Sequence, residues 1–220
     1  TEETQAIKAG EVSFAEHVLI EEIDSLKEAN LFDARPQFGT YYVNFNWEEK
    51  PFDDVNVRKA FFYAIDAKYI TETTLNGLYT ASDAMVPPGM SDNNGKDFRE
   101  NGKTYRDPEK MDENKKIAQK ALADAGYPEG KGFPTVTYST NSDPIHDAIA
   151  QQLINQWKEV LGVTVKMETQ EWATFSESRR NHNFVIARNG WVADYNDVAT
   201  MLNLFTSKSN NNDGDRKSVV

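Results

Sequence analysis

Residues 143–167 read DPIHDAIAQQLINQWKEVLGVTVKM, and two hydrophobic periods meet inside them. Asp143 has the side chain of a helix N-cap, and Pro144 carries the preset φ of a first helical residue. Ile145, Ala148, Ile149, Leu153, Trp157, Val160 and Leu161 then recur at helical spacing until Gly162 stops the run. Directly after it, Val163, Val165 and Met167 alternate with Thr164 and Lys166, which is the two-residue period of a strand. A helix that feeds straight into a strand is the repeating unit of α/β folds.

The same signals recur on both sides. Asp107 and Pro108 open a second helix with Ile117, Ala118, Ala121, Leu122 and Ala125 on one face, and Gly126 and Pro128 end it. A third is predicted from Asp54 through Val57, Phe61, Ala64 and Ile65 to Gly77. Short β-rich runs stand at 41–45, 136–138 and 184–187. The last, Phe184-Val185-Ile186-Ala187, is apolar without a break, as expected of a strand covered on both faces. The predicted order is β, α, α, β, α, β, α, β, α, an α/β domain. Residues 79–106, with Pro87, Pro88, Gly89, Gly95 and Gly102, read as a long loop, and 207–215 as a polar loop or frayed end.

Composition excludes several classes of function. The 220 residues carry 24 Lys and Arg against 35 Asp and Glu, a net charge of −11. A pI of about 4.8 argues against nucleic acid or an anionic membrane surface as partner. Mean hydropathy is −0.68, and the longest clean apolar run, residues 60–65, is far short of the roughly 20 residues that span a bilayer. Without cysteine there is no disulfide, thiol nucleophile or Cys-ligated zinc. His17, His146 and His182 lie far apart, so no metal or other cofactor is expected. Six residues separate Gly95 from Gly102-Lys103-Thr104 where a phosphate loop needs four.

What remains is the stretch 188–197, RNGWVADYND, which follows the apolar strand. Ligands of open α/β sheets sit beyond the carboxyl ends of the strands, and this stretch brings the cation Arg188, the aromatic Trp191 and the acid Asp194 to such a place. It reads as a recognition loop. The alternative is structural: Asp194 or Asp197 caps the next helix, Trp191 is core, and Arg188 pairs with a surface acid.

Residues 51–66, PFDDVNVRKAFFYAID, resemble the signature of the family 5 extracytoplasmic solute-binding proteins, the oligopeptide-binding components of ABC importers. The resemblance continues through Ala125-Gly126-Tyr127, Gly132-Phe133-Pro134, the block 190–195 and Ser209-Asn210-Asn211; from Asp213 onward the chain departs from the family pattern. It implies the C-terminal lobe of a type II periplasmic-binding-protein-like fold, a mixed or parallel sheet flanked by helices. Residues 1–38 would be the end of an N-terminal lobe and hinge, and 39–220 the C-terminal ligand-binding lobe, with the other lobe outside the chain. The resemblance implies a monomer in the periplasm or on the cell surface, with short peptides and ABC permease subunits as partners.

It also assigns roles. Asp194 would hold the peptide α-ammonium, and Arg188 and His146 would meet a peptide carboxylate. Trp172 and Trp191 would form pocket walls, Arg179 and Arg180 would line the same wall, and Gly190 lies in the same block. A murein-peptide or other solute receptor is the alternative within the family. A peptide or glycan hydrolase using Asp194 and Glu171 is the alternative outside it.

Overall fold

The computed structural model describes residues 2–15 and 19–214, which leaves His17 and the tail from Asp215 outside the described residues. Helices α1 (Glu2–Ala9) and α2 (Ile23–Glu28) precede strand β1 (Gly39–Phe45). Then follow α3 (Val55–Tyr63), the single turn α4 (Ala67–Tyr69), α5 (Met111–Asp124), β2 (Val136–Asn141) and α6 (Pro144–Leu161). Strand β3 (Val165–Gln170), α7 (Trp172–Arg180), β4 (Ile186–Val192) and α8 (Ala199–Leu202) complete the order.

The sheet runs β1-β4-β2-β3. Strand β4 pairs antiparallel with β1 from Gly39 opposite Val192 to Phe45 opposite Ile186, and parallel with β2 at Tyr138 and Ser139. Strands β2 and β3 are parallel. An interior position covers the apolar run on both faces, as its composition requires. Ile186 joins the main core with Phe52, Phe61, Tyr138 and Trp157, whereas Ala187 packs with Phe175 and Phe184 in a second cluster. Outer strand β3 is exposed from Lys166 to Thr169.

Helix α6 forms as its signals demand. The Asp143 carboxylate accepts the N–H groups of Ile145 at 2.8 Å and His146 at 3.2 Å. At the other end Gly162 adopts φ of 70°, and a Cβ there would stand 2.6 Å from the Glu129 carbonyl oxygen, so only glycine fits. Trp157 is fully buried on the apolar stripe, its indole N–H donating to the Phe61 carbonyl at 3.0 Å.

Three sequence expectations are corrected. Helix α5 begins at Met111, because the Asp107 carboxylate accepts the Glu109 N–H and its carbonyl accepts from Lys110 and Asn114, which closes a turn instead. The helix expected from Asp54 to Gly77 breaks after Tyr63; Asp66 caps a new turn through the Tyr69 N–H, and a wide turn at Ile70–Thr74 follows. Residues 188–192 are strand, because β1 supplies a partner as far as Gly39. The stretch 207–214 is a loop, as expected, and it is docked, with Asn212 and Asp213 buried and the Gly214 carbonyl accepting the Trp47 N–H at 3.0 Å.

The long loop 79–106 is also anchored. Buried Val86 and Met90 pack with Met201, and the Arg106 guanidinium, buried against the Phe62 ring, donates to the Phe62 carbonyl at 2.8 Å. Trp157→Ala removes the largest fully buried side chain and its hydrogen bond; it is expected to cost about 3–5 kcal/mol of unfolding free energy, measured by urea denaturation.

Candidate functional site

Strands β2, β3 and β4 run parallel, so their carboxyl ends, at Asn141, Gln170 and Val192, lie on one edge with the start of β1. Helices α6 and α7 begin there as well, at Pro144 and Trp172. Several side chains converge on this edge. The Arg188 guanidinium on β4 donates through Nε to Asn141 Oδ1 at 2.7 Å and also through Nη2 to the same oxygen. Its Cζ lies 5.4 Å from the Trp172 ring centre and 5.3 Å from that of Phe175.

Arg179, on α7, stacks over the same rings at 6.0 and 5.0 Å. Its Nη1 donates to Asn189 Oδ1 and lies 3.8 Å from Asp213 Oδ2. Arg180 donates to Ser176 Oγ at 2.7 Å and lines a shallow groove with Trp172 and Glu177. Burial pulls both Arg179 and Arg188 below the usual arginine range, and the proximity of Arg179 adds to the effect on Arg188.

His146 sits in the first turn of α6 with its ring 5.5 Å from that of Tyr41. Tyr41 is itself withdrawn from water, and burial pushes its phenol up to about 12. The His146 imidazole is held below its ordinary value, first by burial and then by the Arg188 charge, against smaller opposing pulls from Asp143 and Asp147. The positive end of the helix works in the same direction.

Residues 1–213 match the family described as bacterial extracellular solute-binding proteins, family 5 middle. The chain belongs to this family. It is 32% identical over 214 residues to the oligopeptide-binding protein OppA of Bacillus subtilis, a match covering 96% of this chain and 38% of that protein. YgiS of Escherichia coli, named a probable deoxycholate-binding periplasmic protein, is 32% identical with the same two shares. The solved structure of the Escherichia coli murein tripeptide binding protein MppA aligns with a TM-score of 0.84 at 30% identity, over 98% of this chain and 41% of that one. The family 5 chain thus spans about 38% of the length of the curated relatives it matches. The α/β reading with a mixed sheet flanked by helices is borne out.

Within this family 5 chain, Arg188, Trp172, Arg179 and His146 meet at the carboxyl edge of the sheet. Gly190 lies on the same strand, opposite Tyr41. Trp191 points elsewhere: it packs against Val86, Met90 and Met201, and its indole N–H donates to Thr200 Oγ1 at 3.1 Å. Asp194 is exposed, and its backbone N–H donates to the same hydroxyl at 3.2 Å. The helix-capping role falls to Asp197, whose carboxylate accepts the Ala199 N–H at 2.8 Å, and Arg188 has no acid partner among the described residues. The structural alternative therefore holds for Asp197 and for Trp191, which packs as core, and gains no support at Asp194 and Arg188.

Sequence reasoning missed Tyr41, Asn141, Phe175, Asn189 and Asp213. Tyr41 stood in the predicted strand 41–45, whereas Phe175 lay in no element whose period was read, and single amides and acids carry no pattern. No group of three or more His, Asp or Glu side chains able to hold a metal ion occurs among the described residues.

The depressed His146 sets a testable pH dependence. Below about pH 6.5 the unfolded chain takes a proton that the folded site resists, so folding stability falls as pH drops through and below that value. His146→Phe keeps the ring contact with Tyr41 and removes the titration; thermal melts between about pH 7 and pH 5 are expected to show a shallower decline for this variant.

Proposed function

We propose that this chain is the ligand-gripping part of a two-lobed peptide-binding protein that serves an ABC importer. Residues 1–38 form the end of the first lobe and the hinge, and 39–220 form the C-terminal lobe. Short peptides are captured between the lobes and handed to membrane permease subunits, outside the cytoplasm, in the periplasm or on the cell surface. The protein works as a monomer, binds no nucleic acid, and releases its ligand unaltered rather than acting on it as an enzyme.

One observation carries this reading. Strand β4 and the turn after it present a half-buried cation, Arg188, and an exposed acid, Asp194, and neither has an opposite charge within ion-pair distance among the described residues, Asp143 acting on Arg188 only from farther off. A peptide main chain is a zwitterion with the complementary ends. A transporter of many sequences must grip those shared groups rather than side chains. Asp194 takes the α-ammonium, and Arg188, with the neutral His146 beside it, meets the carboxylate. Trp172 supplies the apolar wall, while Arg179 and Arg180 border it and Gly190 leaves the strand surface open; Trp191, turned into the cluster of Val86, Met90 and Met201, is withdrawn from the wall role. Closure of the lobes would exclude water and strengthen each polar contact.

The reading is supported by the oligopeptide binder among the relatives. A murein-peptide receptor is the second reading, favoured by the likeness to MppA.

Calorimetric titration of the full-length protein with a tripeptide, free or N-acetylated, tests the anchor. Only the free peptide is expected to bind tightly, and Asp194→Ala is expected to weaken it by about 2–5 kcal/mol, or about 30-fold to several thousand-fold. Equal binding of both peptides removes Asp194 from the ammonium role, and a cleaved peptide in the cell would replace the transport reading with hydrolysis.

A further inference from the structure

Two guanidiniums share the Trp172 and Phe175 platform, yet their surroundings differ. The Arg179 side chain is 12% exposed and stands 3.8 Å from the carboxylate of Asp213, itself 6% exposed. Buried Asn189 joins the two, accepting from Arg179 through Oδ1 and donating from Nδ2 to Asp213 Oδ2 at 3.2 Å. The Asp213 charge also reaches Tyr42, whose phenol burial and that charge push up together. Arg188, in contrast, hydrogen-bonds among the described residues to the amide oxygen of Asn141, a neutral acceptor that a carboxylate can outcompete, and has no carboxylate within ion-pair distance.

We infer that Asp213 divides the labour of this platform: it neutralises and holds Arg179 as a fixed wall, so that Arg188 alone remains to receive an anion and the site takes one carboxylate. The ligand class that follows, resting on the peptide reading above, is peptides that bring a single carboxylate to the platform, with uncharged or basic side chains beside it. Peptides with an acidic side chain there gain nothing, because Arg179 is already countered. Asp213 and Asn189 act through Arg179 and are positioning residues.

Asp213→Asn keeps the size of the side chain and an acceptor for Asn189 while it removes the charge. The first readout needs no peptide. Phenylglyoxal labels accessible guanidiniums, and mass spectrometry of the digested chain locates the label. Arg188 is expected to label faster than Arg179, and Asp213→Asn to raise Arg179 labelling several-fold. Equal labelling in the parent, or no rise in the variant, overturns the inference even if peptides bind.

The second readout is calorimetry of the full-length protein with trialanine and the three tripeptides that carry one glutamate. In the parent no glutamate peptide should exceed trialanine. In Asp213→Asn one of them should gain about tenfold over trialanine. Arg179→Met covers the case in which Asp213→Asn fails to fold: it should leave the ratios among the four peptides unchanged, and selective loss of an acidic peptide would show Arg179 to be a ligand contact and overturn the inference. If the labelling pattern holds while no peptide binds the parent, the peptide reading falls and the locked state of Arg179 stands.

Discussion

Strand β4 can lie inside the sheet only because two different partners flank it, β1 running against it and β2 running with it. That double pairing buries Ile186 and Ala187 on opposite faces and ties the main core to the smaller cluster around Phe175. It also carries Arg188, Asn189 and Gly190 toward the edge where α6 and α7 begin. Beyond the end of β1 the pairing is continued by a side chain. Buried Asn46 donates to the carbonyls of His182 and Phe184, and its backbone N–H donates to Val185. The site and the core therefore share one strand, and a shift of its register by one residue would send Arg188 to the wrong face.

The electrostatics of the edge run against those of the chain as a whole. A net charge of −11 is spread over the molecule, while two arginines are drawn together on an aromatic platform and partly withdrawn from water. Two cations at close quarters raise each other's cost, and burial adds to it. Stacking on Trp172 and Phe175 offsets part of that cost, Asp213 offsets more for Arg179, and the amide of Asn141 offers Arg188 only a dipole. The residual positive potential at Arg188 is what an anionic ligand would relieve. The loop 79–106 contributes at a distance, since Val86 and Met90 form the surface on which Trp191 rests.

Much of the fold was legible because it depends on neighbours in the chain. Asp143, Pro144 and Gly162 mark α6 by local hydrogen bonding and backbone freedom, and the alternation of major helices and strands followed from hydrophobic period alone. The errors fell where a local signal has two local outcomes. Asp107 can cap a helix or close a turn, and it closes a turn; Asp66 interrupts what looked like one helix by capping a second. The polar stretch 188–192 read as loop because strand pairing with a residue as remote as Gly39 leaves no periodic trace.

By itself the sequence determined the class of fold, the positions of the main elements, the likeness to family 5 solute-binding proteins and the strand end on which a cation and an acid stand. These follow from periodicity, caps and motif order, all of which are written in near neighbours. Only the tertiary structure decided which charges are answered. Arg188 finds Asn141 47 positions away, Arg179 finds Asp213 across the buried Asn189, and Asp197 takes the cap that leaves Asp194 exposed. The physical reason is that a side chain's electrostatic environment is set by whatever packing brings within a few ångströms, and an isolated amide or carboxylate gives no sign in the sequence of where it will be brought.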